Sequence, residues 1–194
     1  MLKLNYKIRA FLLLTIAAIF SLIISSYSPF DPSFNVVGNN HVNNLLGVIG
    51  SYISDLMLQY IGYASYLICL LLINWSYILY RNQSIDLWKT RLALGVISVM
   101  LFAMLASEIY LPIKFDISNL GGVFGAICNI YIKNLLLLPY HSLVMSILFI
   151  IAFTACLGYR AEEYMTIMNK FIYVIKSMIA KVIVRAATRE DAII

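Results

Sequence analysis

Four long apolar runs, separated by polar segments, dominate the pattern of this chain. They cover about residues 10–26, 56–80, 92–110 and 141–159. A helix needs about 20 mostly apolar residues to cross the hydrocarbon core of a bilayer, and the range extends down to about 17. The pattern therefore predicts an all-α integral membrane protein with four transmembrane helices, in which residues 1–160 form the membrane domain.

The first apolar run has the basic start and the short apolar core that are typical of a signal peptide. It ends in Ser25-Ser-Tyr-Ser-Pro29, without a small-residue cleavage site, and further apolar runs follow it. We therefore interpret it as an uncleaved first span. Pro29 and Pro32 then close the run in a turn, because proline lacks a backbone N–H and restricts the residue before it.

Two other segments are apolar but too short or too mixed in character to span a bilayer. Residues 44–55 place apolar side chains among Gly and Ser, which predicts an amphipathic helix that lies on the outer face or enters the second span. Residues 120–132 favour a re-entrant or surface helix. Both segments fall on the predicted extracytoplasmic side.

The last segment, residues 161–194, is basic and amphipathic. In a helix, its apolar residues share one face and its Lys and Arg residues lie mostly on or near the other. A central lysine costs about 2.5–3.5 kcal/mol on insertion scales, which argues against a fifth span. Two interpretations stay open: a basic amphipathic helix on the inner leaflet, and a solvated helix that begins a linker.

Composition and charge agree with a membrane protein. Of the 194 residues, 62% are hydrophobic and 12% are charged, whereas soluble domains are about half apolar and about a quarter charged. Of the 14 basic residues, only Lys114 and Lys133 fall in predicted outer loops. Because cytoplasmic loops carry the excess of Lys and Arg, both termini are predicted to be cytoplasmic. The net charge of +5 then indicates contact with the lipid bilayer, and no direct binding of nucleic acid is expected.

The sequence shows no constellation of residues that could carry catalysis or hold a metal. Cys69, Cys128 and Cys156 form no CxxC pair. His41 and His141 are isolated, and no GxxxxGK[ST], HExxH or GxSxG motif occurs. We expect no cofactor, no metal and no enzymatic activity of this chain.

Two polar side chains interrupt the apolar runs. Asn74 lies inside the second run, where an amide usually seeks a partner on another helix. Glu108 lies near the outer end of the third run, from which we expect its carboxylate to reach the interface. Neither forms a chain of ionisable groups across a span, which is what a proton relay requires.

Four features of the sequence carry a resemblance to a known family. The first is the turn Tyr27-Ser-Pro-Phe-Asp-Pro-Ser-Phe34, and the second is Asn44-Leu-Leu-Gly-Val-Ile-Gly-Ser-Tyr-Ile-Ser-Asp-Leu56, followed by Gly62. The third is Gly121-Gly-Val-Phe-Gly125, and the fourth is the basic tail. The first three are similar to the motifs S-x-x-D-P-S-[FW], N-x-x-G-x-x-G-A-x-x-A-D-x-L and G-G-x-[IL]-G. Over nearly its whole length the chain resembles the amino-terminal four-span membrane domain of the FtsK/SpoIIIE family of bacterial DNA translocases.

The resemblance makes the motif residues candidates for conserved structural or interaction roles. They are Asp31, Pro32, Ser33, Phe34, Asn44, Gly47, Gly50, Asp55, Gly62, Gly121, Gly122 and Gly125. For Gly47 and Gly50 we favour helix packing within one chain. For Gly121 and Gly125 two roles stay open: packing within the chain, and contact with a neighbouring subunit or a division partner. Gly125→Leu is predicted to impair septal localisation or partner capture more than it lowers the folded yield in the membrane.

The resemblance also implies a function. In this family the membrane domain anchors a hexameric, ATP-driven DNA pump in the inner membrane, localises it to the division septum and contacts other cell-division proteins. Homo-oligomerisation is implied with it. The 194 residues contain no nucleotide-binding motif, so translocation itself is not assigned to them.

Two functions from other classes compete with the anchor. A small four-helix transporter or channel subunit would show polar or ionisable groups along a span, or a span broken at mid-membrane. Only Asn74 is central, and no run carries a proline near its middle. An enzyme embedded in lipid would need a paired acid, base or metal set, and the sequence shows none.

Overall fold

The chain folds entirely into helices wherever its structure is described. The structure is a computed structural model that describes residues 5–37, 41–109, 119–136 and 140–159, and eight residues of the tail between 165 and 177. Within these residues no strand occurs. The all-α fold class is confirmed.

Six α-helices and one short 3₁₀ turn follow one another along the described chain. They are α1 (Tyr6–Ser25), α2 (Gly47–Ile61), the 3₁₀ turn (Gly62–Ala64), α3 (Ser65–Asn82), α4 (Trp88–Ala106), α5 (Gly122–Leu136) and α6 (His141–Leu157). Three stretches are long and apolar enough to cross a membrane: Tyr6–Ser25, Gly47–Asn82 and Trp88–Ala106. Helix α6 is shorter, with 17 residues, which lies at the lower end of the spanning range of about 17–25.

The bundle is built from two closely packed helix pairs, α1 with α3 and α4 with α6. Helix α1 and helix α4 end at the same end of the bundle, at which α3 and α6 begin; we call this the loop end and the opposite one the tail end. Helices α2 and α5 lie at the loop end, where α5 packs on both α2 and α4. A buried cluster of Leu67, Leu71, Val99, Ala103 and Cys156 joins α3, α4 and α6.

The structure corrects the second predicted span. The apolar run 56–80 is not one helix, because the chain turns at Gly62, whose φ of 60° and ψ of −143° lie outside the helical region. Glycine adopts a positive φ without the steric penalty that a side chain imposes. The next residue, Tyr63, donates its backbone N–H to the carbonyl of Leu120 at 2.8 Å. Residues 56–61 therefore belong to α2, and the apolar helix that follows is α3.

Other helix ends also differ from the sequence prediction. Helix α1 begins at Tyr6, four residues before the predicted span. Asn5 caps its start, because the Asn5 side chain accepts the N–H of Lys7 at 3.3 Å. Helix α4 begins at Trp88 and ends at Ala106, so Glu108 lies beyond the helix. Its carboxylate is 2.6 Å from His141 Nε2 and 3.9 Å from Lys133 Nζ. Glu108 is therefore part of a charged cluster at the loop end.

Asn74 and Trp75 of α3 stabilise the tail end of α6. The last carbonyls of a helix have no partner within the helix. Asn74 Nδ2 donates to the carbonyl of Leu157 at 2.9 Å, and Trp75 Nε1 donates to that of Cys156 at 3.0 Å. Helix α6 ends at Leu157, and Gly158 follows it with a φ of 76°. The expectation that Asn74 finds a partner on another helix is met by these backbone contacts.

The chain divides into two units, Met1–Gly158 and the tail, Tyr159–Ile194. The described residues of the tail (165–166, 169–170, 172–173 and 176–177) are helical. Most of the predicted amphipathic pattern of residues 161–194 lies outside the described residues. Whether the tail lies on the inner leaflet or begins a linker stays a prediction.

Candidate functional site

The motif residues of the first polar segment form a buried hydrogen-bonded cluster at the loop end. Its centre is Asp31, which is 2% exposed. The Asp31 carboxylate accepts three hydrogen bonds: from the N–H of Asn43 at 2.8 Å, from Asn43 Nδ2 at 3.0 Å and from the N–H of Asn44 at 2.8 Å. A buried carboxylate is tolerated when several donors satisfy it. Asp31 thereby joins the prolyl turn after α1 to Asn43 and Asn44, which lead into α2.

Asn44 ties this loop to both α1 and α2. Its Nδ2 donates to the carbonyl of Ile23 at 2.9 Å and to Ser54 Oγ at 3.3 Å, while its Oδ1 accepts the N–H of Leu46 at 3.1 Å. The side chain is 4% exposed. An asparagine amide has two donors and one acceptor oxygen, and here each group is used. Asn44 is therefore a structural residue of the site.

Two small residues of α2 complete the cluster. Ser51 Oγ donates to the carbonyl of Pro32 at 2.6 Å, which holds the prolyl turn against the helix. At Gly50 a Cβ atom would overlap the Asn44 side chain, so only glycine leaves room for it. Ser33 closes the turn by donating its N–H to the carbonyl of Val36 at 3.0 Å. The turn is thus a folded unit, packed on α2.

Asp55 lies one turn further along α2 and has a different environment. Its Oδ1 accepts Gln59 Nε2 at 2.7 Å and the Tyr27 hydroxyl at 3.4 Å. Gln59 Oε1 in turn accepts Asn35 Nδ2 at 2.7 Å, which fixes the orientation of the Gln59 amide. No donor among the described residues reaches Asp55 Oδ2. This carboxylate is thus held by one oxygen.

The remaining motif glycines bring α5 into backbone contact with α2 and α4. A Cβ atom at Gly62 would overlap the carbonyl of Leu120, and one at Gly122 would meet the backbone of Tyr60 at 2.6 Å. A Cβ atom at Gly121 or Gly125 would overlap the carbonyl of Ala103 in α4. Small residues let helix backbones approach each other closely in this way.

The structure therefore sorts the predicted site residues into a few groups. The turn cluster contains Asp31, Pro32, Ser33, Asn44 and Gly50, and Asp55 lies next to it with Tyr27 and Gln59 as partners. The glycine contacts are those of Gly62, Gly121, Gly122 and Gly125. Gly47 starts α2 with a φ of 65° and has open space around it. Phe34 is 72% exposed, and its ring lies edge-on to that of Tyr52, with 4.9 Å between the centroids.

Sequence reasoning missed several members of the site. The segment 44–55 contains Ser51 and Ser54 without a signal for a polar role, yet both side chains form hydrogen bonds in the turn cluster. Tyr27 and Gln59 were not singled out as polar partners of Asp55. The four-residue spacing of Asp55 and Gln59 on a helix is the one available signal, because residues at that spacing face each other.

The site is a set of structural contacts at the loop end. Within the described residues no group of three or more His, Cys, Asp or Glu side chains is placed to hold a metal ion. Cys69, Cys128 and Cys156 are free thiols. The geometry offers a hydrogen-bonded loop end with an exposed aromatic ring, Phe34, and a carboxylate, Asp55, that is bound through one oxygen.

Comparison with protein families gives a match that covers most of the chain. The model described as the 4TM region of DNA translocase FtsK/SpoIIIE matches residues 3–171. This range contains all six α-helices and every residue of the turn cluster and of the glycine contacts.

Curated relatives point the same way. The chain is 33% identical over 160 residues to the DNA translocase FtsK of Rickettsia bellii, which covers 78% of the chain and 21% of the relative. It is 31% identical over 179 residues to that of Rickettsia prowazekii, covering 87% of the chain and 22% of the relative. It is 32% identical over 127 residues to the DNA translocase FtsK of Azospirillum brasilense, and this match covers 62% of the chain and 20% of the relative. The match thus covers about a fifth of these relatives, and no solved structure matches the chain significantly.

Proposed function

We propose a function on one premise: this chain belongs to the FtsK/SpoIIIE family of DNA translocases, of which it carries the four-span membrane region. It is the membrane anchor of such a translocase, targets it to the division septum and contacts other division proteins. The match over residues 3–171 is the observation that carries the proposal. DNA translocation is the activity named for relatives of which the match covers about a fifth, and we propose it for the translocase to which this membrane region belongs.

The exposed surface of the helices supports the anchoring part. Large apolar side chains such as Phe11 of α1, Val96 of α4 and Ile150 of α6 point outwards. In water such a surface would drive association, whereas in a bilayer it faces lipid tails of the same polarity. The chain is accordingly placed in the bacterial inner membrane as a multi-pass protein.

The distribution of basic residues supports an orientation. Arg81, Lys89 and Arg91 lie at the tail end, in or beside the connection between α3 and α4. Under the positive-inside rule the tail end is cytoplasmic, together with both termini. The loop end, with its turn cluster and the exposed Phe34, then faces the space in which extracytoplasmic parts of division proteins are available for contact.

Membership of this family favours the membrane anchor over the alternative of a small transporter or channel subunit. The polar group that could have marked a pathway, the Asn74 amide, is bound to the carbonyl of Leu157 at 2.9 Å. Its role in the described structure is to stabilise the end of a helix. A hexameric assembly, which the family implies, is part of the proposal.

Localisation tests the proposal directly. A fluorescent protein fused after residue 194 should be enriched at the septum relative to the lateral membrane of dividing cells. Phe34→Ser should reduce this enrichment, because it removes an exposed ring of the loop end. Val37→Ser is the matched control, since Val37 is also exposed but lies outside the motif. Uniform fluorescence of the unmodified fusion along the membrane would contradict septal targeting.

A further inference from the structure

A cleft at the loop end, between α2 and α5, has the properties of a binding site. Its volume is about 460 Å³, within the range of about 300–1,000 Å³ that is usual for ligand sites. The walls include Leu58 of α2 and Val123 and Ile127 of α5, and polar groups come from Tyr27, Asp55, Gln59 and Asn119.

Asp55 is the charged side chain among the described residues that line this cleft. It is 4% exposed, and both described donors, Gln59 Nε2 and the Tyr27 hydroxyl, bind its Oδ1. Neither donor carries a positive charge. A buried carboxylate without a cationic partner is costly, and a cation that reaches the cleft would offset that cost.

Comparison with Asp31 makes the difference clear. Asp31 is buried to a similar extent, but its Oδ1 accepts two hydrogen bonds and its Oδ2 a third. At Asp55 the described donors leave Oδ2 free for a further partner. The Gln59 amide, held by Asn35 at 2.7 Å, fixes the carboxylate in this orientation. Asp31 is satisfied by its own loop, whereas Asp55 is preorganised for an external donor.

We propose that this cleft binds a partner polypeptide through an arginine or lysine side chain that pairs with Asp55. The apolar walls suit the aliphatic stem of such a residue and an apolar neighbour, and the carboxylate suits its charged head. A single carboxylate offers too few ligands for a divalent metal, which takes about six oxygen ligands. The inference rests on the proposed function, because the partner must present this segment on the extracytoplasmic side.

Binding of a defined peptide tests the proposal. The full 194-residue chain in lipid nanodiscs is titrated by calorimetry with acetyl-Leu-Arg-Leu-amide and with its citrulline counterpart, which keeps the shape and lacks the charge. The arginine peptide should bind, and the citrulline peptide should bind about tenfold more weakly or less, as expected for loss of a buried charge pair. Asp55→Asn should weaken the binding of the arginine peptide by a similar factor.

Two variants keep the result interpretable. Asp86→Asn removes the same charge from an exposed position in the connection between α3 and α4, and it should leave peptide binding unchanged. Val123→Lys places an ammonium group in the wall of the cleft and should abolish peptide binding, which tests the site without substituting Asp55.

Several results would overturn the inference: no binding of the arginine peptide, equal binding of the citrulline peptide, or undiminished binding to Val123→Lys. Competition by spermidine at an affinity equal to that of the peptide would identify a site for small cations instead. Septal localisation of the unmodified chain is measured separately. Its loss would contradict the proposed function, whereas intact localisation without peptide binding would contradict this inference alone.

Discussion

The Asp31 carboxylate accepts the backbone N–H of Asn44 at 2.8 Å, while the Asn44 side chain donates to the carbonyl of Ile23, in the last turn of α1, at 2.9 Å. The two residues thus close a path from the end of α1 through the prolyl turn and back to α1. Because both are buried, removal of either leaves polar groups without partners.

We predict that Asn44→Ala destabilises the folded membrane domain by about 2–4 kcal/mol, since it removes several buried hydrogen bonds and leaves the carbonyl of Ile23 unsatisfied. Unfolding in detergent, followed by the helical circular dichroism signal, measures this loss. Asn82→Ala at the exposed end of α3 is the matched control, and its stability should change little. An Asn44→Ala protein as stable as the control would show that the cluster contributes little.

A second prediction contrasts two glycines of one helix. Gly50→Ala should destabilise more than Gly47→Ala, because a methyl group at Gly50 overlaps the Asn44 side chain, which hydrogen bonds hold in place. Overpacking of this kind costs about 1–3 kcal/mol. Gly47 has open space and carries only the strain of its φ of 65°, about 1–2 kcal/mol for a residue with a side chain. Thermal denaturation of both variants decides the order, and a reversed order would contradict the geometry.

The third prediction concerns sidedness. In a variant without native cysteines, Cys introduced at Val37 of the loop end should react with an impermeant maleimide in intact spheroplasts. Cys introduced at Ser84, in the connection between α3 and α4, should react only after permeabilisation, because the basic residues around it favour the cytoplasmic side. Both positions are exposed, so labelling reports access across the membrane. Reaction of the Ser84 position in intact spheroplasts would reverse the proposed orientation.

The apolar runs predicted the helices because burial and lipid contact both follow hydropathy, a property of the local sequence. The break at Gly62 was not predictable in the same way. It depends on the carbonyl of Leu120, which lies 58 positions away in sequence and receives the N–H of Tyr63. Likewise, Glu108 and His141 each looked isolated, and only the fold places them 2.6 Å apart.

Motif resemblance identified most of the turn cluster but not the roles of its members. Asp31 and Asp55 are both acidic residues of the motifs. Both oxygens of Asp31 accept hydrogen bonds, whereas the described donors of Asp55 bind only its Oδ1. That difference depends on Gln59 and Tyr27, which approach Asp55 from two separate elements. The hydrogen-bond partners of a buried side chain are residues that lie near it in space. The sequence alone therefore could not show that the two carboxylates differ in their partners.

The last prediction concerns Gly125, for which the sequence left internal packing and partner contact open. In the structure Gly125 lies against Ala103 of α4, and the atoms that a side chain would meet are backbone atoms of the same chain. We therefore expect Gly125→Leu to lower the folded yield, opposite to the expectation that localisation suffers more. Backbone atoms cannot move aside as a flexible side chain can, so the cost should reach or exceed the usual 1–3 kcal/mol or so of overpacking.

Yield and localisation need to be measured together, because loss of folding removes septal fluorescence whatever the glycine contacts. Gel filtration of a fluorescent fusion gives the folded yield, and microscopy of the same cells gives septal enrichment. Ile130→Leu, on an exposed position of α5 outside the proposed cleft, is the matched control and should keep both. Yield and enrichment that fall in step in Gly125→Leu identify a packing residue. A normal folded yield with lost septal enrichment would instead indicate that a partner contacts this face of α5. Gly125 would then be needed for that contact and not for packing against α4.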